Sequence, residues 1–185
     1  MDLLRKPVFQ YSVFAVAGVL LLVWLFSGET RSTPEELVDR ALSAPTVDGQ
    51  QTAAIELSRR DDVPIESVRN VFRQSKAPEV RAAAAQGLGR TRDIDSLPAL
   101  IDAMEDESPL VRGRAGAAVK QIVGLDYEFR ALDPPEERQK AVDFYRKFWK
   151  EAQGSRFIEF MRDPSSVAEE TRASREGGSS KKGKP

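Results

Sequence analysis

Residues 78–123 read PEVRAAAAQGLGRTRDIDSLPALIDAMEDESPLVRGRAGAAVKQIV, and the segment repeats itself. Its two ends, PEVRAAAA and PLVRGRAG, open alike. Val80 and Arg81 return as Val111 and Arg112, a step of 31 residues, and Ala84 and Leu88 return as Ala115 and Val119. The same step backwards falls on Gly49, Ala53 and Leu57 in QQTAAIELSRR. Three helix-length segments therefore share one frame. Ala53, Ala84 and Ala115 make one column, Leu57, Leu88 and Val119 a second, and Ala54, Ala85 and Gly116 a third that is small throughout. A recurrence of roughly twenty to fifty residues marks a repeat array, because one helix pair cannot bury its apolar face alone and stacking buries it against neighbours. The small columns let the helices approach closely.

Each of the three segments is preceded by a shorter amphipathic one. Thr33, Pro34 and Glu36 form a capping-box start, followed by Leu37, Val38, Ala41 and Leu42 at helical spacing. Asp48 with Gln51 offers a cap for the next helix, from 49 to about 60. Pro64 starts another, with Ile65, Val68, Val71 and Phe72 on one face. Leu97, Leu100, Ile101 and Met104 line a third. Ser108 with Pro109 reads as the cap and first position of the last segment, and Gly124 as its left-handed stop. The repeats run over about 34–60, 63–90 and 94–124.

Beyond Gly124 the pattern changes. Asp133 as cap, Pro134, Pro135 and Glu136 or Glu137 start a helix over about 134–152. Its stripe of Ala141, Val142, Tyr145, Phe148, Trp149 and Ala152 suits a helix closing the open end of an array. Tyr127, Phe129 and Leu132 are expected to tuck the intervening loop against it, and 156–161 to add a turn on the body. From Asp163 the chain turns to Ser, Gly, Lys and Glu, the composition of a disordered tail over 163–185, with a short helix at 166–169 a possibility.

The N-terminus carries a second signal. Residues 8–26 read VFQYSVFAVAGVLLLVWLF, nineteen residues without a charge. At about 1.5 Å per residue the run matches the roughly 30 Å hydrocarbon core. Arg5 and Lys6 precede it and Glu29 is the first charge after it, which predicts residues 1–7 in the cytoplasm and the rest across the membrane, on the periplasmic or extracytoplasmic side. Phe26, Ser27 and Gly28 are a poor cleavage site, so the run reads as a single-pass signal anchor followed by a linker at 27–33.

Composition narrows the chemistry. Lys plus Arg number 28 and Asp plus Glu 29, a net charge of -1 that gives no reason to expect nucleic acid. There is no Cys and no His. Thiolate and imidazole metal sites and Ser-His or Cys-His pairs are therefore excluded. The carboxylate clusters at Asp61 and Asp62, Asp93 and Asp95, Glu105 to Glu107, and Glu136 and Glu137 fall at helix starts and turns, where capping and helix dipoles account for them. Asp93 and Asp95 lack the rest of a calcium loop, and Gly87-Leu88-Gly89 is too short for a phosphate loop. No catalytic residue, cofactor site or metal site is expected.

The block DIDSLPALIDAMEDESPLVRGRAGAAVKQIVG resembles a HEAT repeat of the bilin-lyase-like kind. The likeness rests on Leu97 to Leu100, on Asp106, Ser108 and Pro109, and on Val111, Arg112, Ala115, Ala118 and Val119. PEVRAAAAQGLG matches the second half of the motif, whereas Gln50 stands where the first repeat would carry its Arg. The resemblance implies an all-α fold, a short solenoid of antiparallel helix pairs. It also implies that Arg81 and Arg112 form a structural ladder to turn carboxylates or carbonyls of a neighbouring unit, with Asp106 and Asp93 as acceptors.

The register places Arg59, Arg90 and Gln121 in one exposed column of the second helices, with Gln86 a turn earlier. Such a row suits an acidic or extended peptide. Three function classes follow: a non-catalytic, membrane-anchored module that binds protein, an accessory subunit or spacer beside a larger membrane complex, and, by analogy with the family, a bilin-lyase-like enzyme.

Overall fold

The computed structural model describes residues 31–163 and 165. The anchor expected at 8–26 and the short helix expected at 166–169 lie outside the described residues. Among those residues no helix is long and apolar enough to cross a membrane. The unit that carries the repeats begins at Pro34.

Every regular element among the described residues is helical: α1 (Pro34–Ser43), α2 (Val47–Arg59), α3 (Ile65–Gln74), α4 (Pro78–Arg90), α5 (Leu97–Ala103), α6 (Pro109–Val123), α7 (Pro135–Ala152) and α8 (Arg156–Arg162). A single 3-10 turn, Ile94–Ser96, leads into α5. The helices pair as α1 with α2, α3 with α4 and α5 with α6. The second helices α2, α4 and α6 form one layer, and α1 packs on α3 in the other. α7 packs on α5, and α8 returns to the 3-10 turn. The frame columns are the core: Ala53, Ala84 and Ala115, and Leu57, Leu88 and Val119, are all buried. Val80 and Val111 are buried at equivalent positions.

Small residues decide how close the second helices come. A Cβ on Gly87 would stand 2.4 Å from Ser58 Oγ, and one on Gly89 would stand 2.7 Å from Ala118 Cα. The two contacts are the same contact one unit apart, since Ser58 and Gly89, and Gly87 and Ala118, are related by the 31-residue step. Only a missing side chain lets helix backbones approach so closely.

Several caps differ from the sequence reading. α2 starts two residues earlier than expected, because Thr46 Oγ1, not Asp48, accepts the Gly49 N–H at 3.2 Å. Ser108 makes no side-chain cap. Asp106 Oδ1 takes the Ser108 N–H at 2.9 Å, so the turn is closed from two residues upstream. α7 begins at Pro135 with Pro134 as its N-cap residue and no side-chain cap from Asp133. Gly124 adopts the left-handed conformation expected of it, at φ 75°.

The larger difference is at the open end of the array. Residues 125–133 form no helix and run back along α6 as an irregular strap, with Glu128 left-handed at φ 48° and a turn closed by the Asp133 N–H on the Arg130 carbonyl at 3.2 Å. Phe129 fills the notch of Gly116, where a Cβ would lie 2.4 Å from the ring, and Ala131 passes Gly113. Tyr145 of α7 fixes the start of the strap, donating its hydroxyl to the Leu125 carbonyl at 2.9 Å and accepting the Tyr127 N–H at 3.2 Å. Tyr127 stacks on Phe144 with ring centroids 4.5 Å apart. Leu132, expected to tuck in, is 82% exposed. The strap therefore covers the face of α6 that a further second helix would cover, and α7 braces it through Tyr145 and Phe144.

Candidate interaction face

The arginines at the start of the second helices set the spacing of the units. Arg81 donates from Nη1 to the Lys76 carbonyl at 2.8 Å and the Ser75 carbonyl at 3.3 Å, within its own turn. Its other edge reaches the next unit, with Nε and Nη2 on the two Asp106 oxygens at 3.1 and 2.9 Å. Arg112 repeats the first half, from Nη1 to the Asp106 and Glu107 carbonyls at 2.8 and 3.1 Å. No further unit follows, and its Nε donates instead to the Ala131 carbonyl of the strap at 2.9 Å. Gln50 occupies the position in the first unit and donates Nε2 to the Ala44 carbonyl at 2.8 Å. Facing it in register is Ser75, which stands where Asp106 stands one unit on and closes its turn by accepting the Ala77 N–H at 3.2 Å. The charged pair Arg81 and Asp106 thus has neutral Gln50 and Ser75 at the equivalent positions one unit earlier.

Asp93, read as a ladder acceptor, has a different donor. Arg69 of α3 grips both its oxygens, and the Ser96 hydroxyl donates to it as well. The Asp93 side chain is only 8% exposed. Burial opposes its ionisation, but the hydrogen bonds from Arg69 and Ser96 outweigh that, and the carboxyl sits below its ordinary range. Arg69 is raised correspondingly, first by its hydrogen bond to Asp93.

Arg59, Gln86, Arg90 and Gln121 are all exposed. The first three share a shallow groove of about 160 Å³ between α2 and α4, with Ile55, Ala83 and Gly87 as its floor. Arg90 also donates Nη2 to the Ser58 carbonyl, tying the last turn of α2 to α4. Gln121 lies on α6, one helix along, with Oε1 2.8 Å from where a Gly89 Cβ would be. Arg114, exposed and in register with Ala83, adds a cation that sequence reading passed over. The 31-residue step gives its place, in the column of Thr52, Ala83 and Arg114 beside Ile55, Gln86 and Ala117, but not its charge, since the other two members are neutral. Neither Arg59 nor Arg114 has a carboxylate partner among the described residues. The face thus offers guanidinium and amide donors over an apolar floor. Its one hydroxyl, Ser58 Oγ, is spent on the Ala54 carbonyl at 2.7 Å.

Two further clefts flank the strap. One of about 580 Å³ is lined by Tyr127, Arg130, Asp133, Glu137 and Lys140. Another of about 400 Å³ lies between the strap and Ala117 and Lys120 of α6. Two ion pairs lie in them: Lys140 bonds Glu137 at 2.7 Å, and Lys120 bonds Asp126. Among the described residues no group of acidic side chains is placed to hold a metal ion.

Helix pairs in register, close-packed second helices and arginine-bound turns define an α-solenoid. The family model for HEAT repeats matches residues 34–120, from the start of α1 into the last turns of α6, which supports a HEAT repeat protein. No curated protein and no solved structure matches the chain. The strap, α7 and α8 lie outside the matched segment.

Proposed function

We propose that this protein is a non-catalytic interaction module, held at a membrane by residues 8–26, whose second-helix face receives an acidic, extended segment of a protein partner on the non-cytoplasmic side. HEAT repeats are commonly protein-interaction scaffolds. The observation that carries the reading here is the groove in which Arg59, Gln86 and Arg90 rim a floor of Ile55, Ala83 and Gly87, with Arg114 exposed on α6 in register with Ala83. Exposed guanidiniums without local carboxylates favour an anionic partner, and at about 160 Å³ the groove is too small to enclose a drug-sized ligand. From the bilin-lyase-like resemblance the reading takes the fold alone. The membrane part rests on the uncharged run at 8–26 with Arg5 and Lys6 before it.

The test is quantitative capture from a mild detergent extract with the full chain as bait, against the double variant R59E/R90E. The reading predicts that the variant stays helical, melts lower for want of the Arg90 bond to the Ser58 carbonyl, and loses its partners below that melt, and that R59K/R90K recovers part of the binding. Unchanged capture of every partner by R59E/R90E would overturn it.

A further inference from the structure

The second helices repeat their donors as well as their core. Arg59 on α2, Arg90 on α4 and Gln121 on α6 stand at one register position, each a 31-residue step from the last. Gln86 lies one turn before Arg90, on the groove that Arg59 and Arg90 share. These donors are uncommitted. Arg59, Gln86 and Gln121 make no side-chain hydrogen bond or ion pair among the described residues, and Arg90 commits only Nη2, to the Ser58 carbonyl. Guanidiniums elsewhere are spent: Arg60 on Asp62, Arg69 on Asp93, Arg81 on Asp106 and Arg146 on Asp102. Ala83 and Gly87 keep the floor between the donors low, so a ligand backbone can come within reach of Gln86.

We infer that the partner's acidic segment is a polyproline II stretch crossing the second helices, with carboxylates three residues apart on Arg59 and Arg90 and a neutral acceptor three further on at Gln121. The inference rests on the acidic-partner reading of this face and adds the backbone form and the spacing of its charges. Packed helices lie about 8–10 Å apart, and Gly87 and Gly89 bring these into direct contact. In a β-strand one face repeats at about 6.6 Å or about 13 Å, and neither meets successive helices. In polyproline II one face repeats every third residue, at about 9.3 Å, which does. That backbone makes no internal hydrogen bonds, so its carbonyls stay open to amide donors such as Gln86. An α-helix nearly matches at seven residues, about 10.5 Å, but it satisfies its own carbonyls and leaves Gln86 unused.

Two fluorescent peptides of one composition separate spacing from charge, one made of Glu-Pro-Pro triplets and its isomer of Glu-Glu-Pro-Pro-Pro-Pro sextets. They are titrated by anisotropy against the full chain in non-ionic detergent, below the melt of every variant. The triplet peptide is expected to bind about tenfold tighter, since each exposed ion pair is worth up to about fivefold. R59E/R90E abolishes its binding. Gln121→Arg adds a third rung and raises its affinity by up to about fivefold, and that of the isomer by less. Equal binding of the two peptides, lost in R59E/R90E, would overturn the spacing and leave the acidic-partner reading standing. Binding of neither also overturns the inference, and partner capture then judges the reading alone. Binding that survives R59E/R90E overturns both. Tighter binding of an alanine-based helical peptide with Glu at every seventh position would show a helical ligand and overturn the inference.

Discussion

Glycines with opposite consequences sit within one layer of helices. At Gly87 an added methyl would meet Ser58, and at Gly89 the backbone of Ala118, so Gly87→Ala and Gly89→Ala must push neighbouring helices apart. Each is expected to cost about 1–3 kcal/mol by overpacking. Gly113 lies inside α6 with only the Ala131 methyl near, at 3.6 Å, so Gly113→Ala should gain up to about 1 kcal/mol of helix propensity. Thermal melts of the three variants check the contrast, and equal effects would count against the close approach. The Arg81 fork on Asp106 is mostly buried, with each side chain 15% exposed. Asp106→Ala should cost about 3 kcal/mol, because it strands a guanidinium as well as opening the Ser108 turn. Asp93 gives a pH signature. Its folded value lies below its unfolded one, so its stabilisation is complete above about pH 4 and is lost as the pH falls through the folded value. Asp93→Asn should therefore lower the melting temperature at neutral pH, and the gap to the parent should close in acid.

The strap shows what a helix-by-helix reading of the sequence leaves out. The helices were legible because their apolar residues recur every three or four positions, and the core columns Ala53, Ala84, Ala115 and Leu57, Leu88, Val119 are buried as their register requires. Residues 125–133 carry no such period. They are held through the Leu125 and Ala131 carbonyls, and main-chain acceptors leave no mark in a sequence. Leu132 misled for the same reason: being apolar does not decide which way a residue in a turn faces. Capping was misjudged at Ser108 and Asp133 because a cap depends on backbone geometry that neighbours such as Asp106 and Pro134 had already set. If the strap does seal the end of the array, Tyr145→Phe should speed hydrogen exchange at Tyr127 and cost about 1 kcal/mol, and Phe129→Ala should expose the Gly116 face of α6 to exchange. Unaltered protection along α6 in both variants would mean that the strap covers nothing.

For the molecule as a whole, the 31-residue step carries nearly everything that could be read in advance. It gave the pairing of helices, the core and the exposed column of Arg59, Arg90 and Gln121, because a repeat converts sequence position into place in the stack. It did not give the extra cation Arg114, which sits in a column that is neutral in the other two units. It could not name a partner, since a surface of donors over an apolar floor specifies charge and shape rather than identity. The account depends on α2, α4 and α6 lying side by side in register. Spin labels at Arg59→Cys and Gln121→Cys, in a chain with no native Cys, measure that directly. Two helix-to-helix steps predict a single narrow distance near about 20 Å, widened by the label arms. A broad distribution, or a separation far beyond two helix diameters, would contradict the stack.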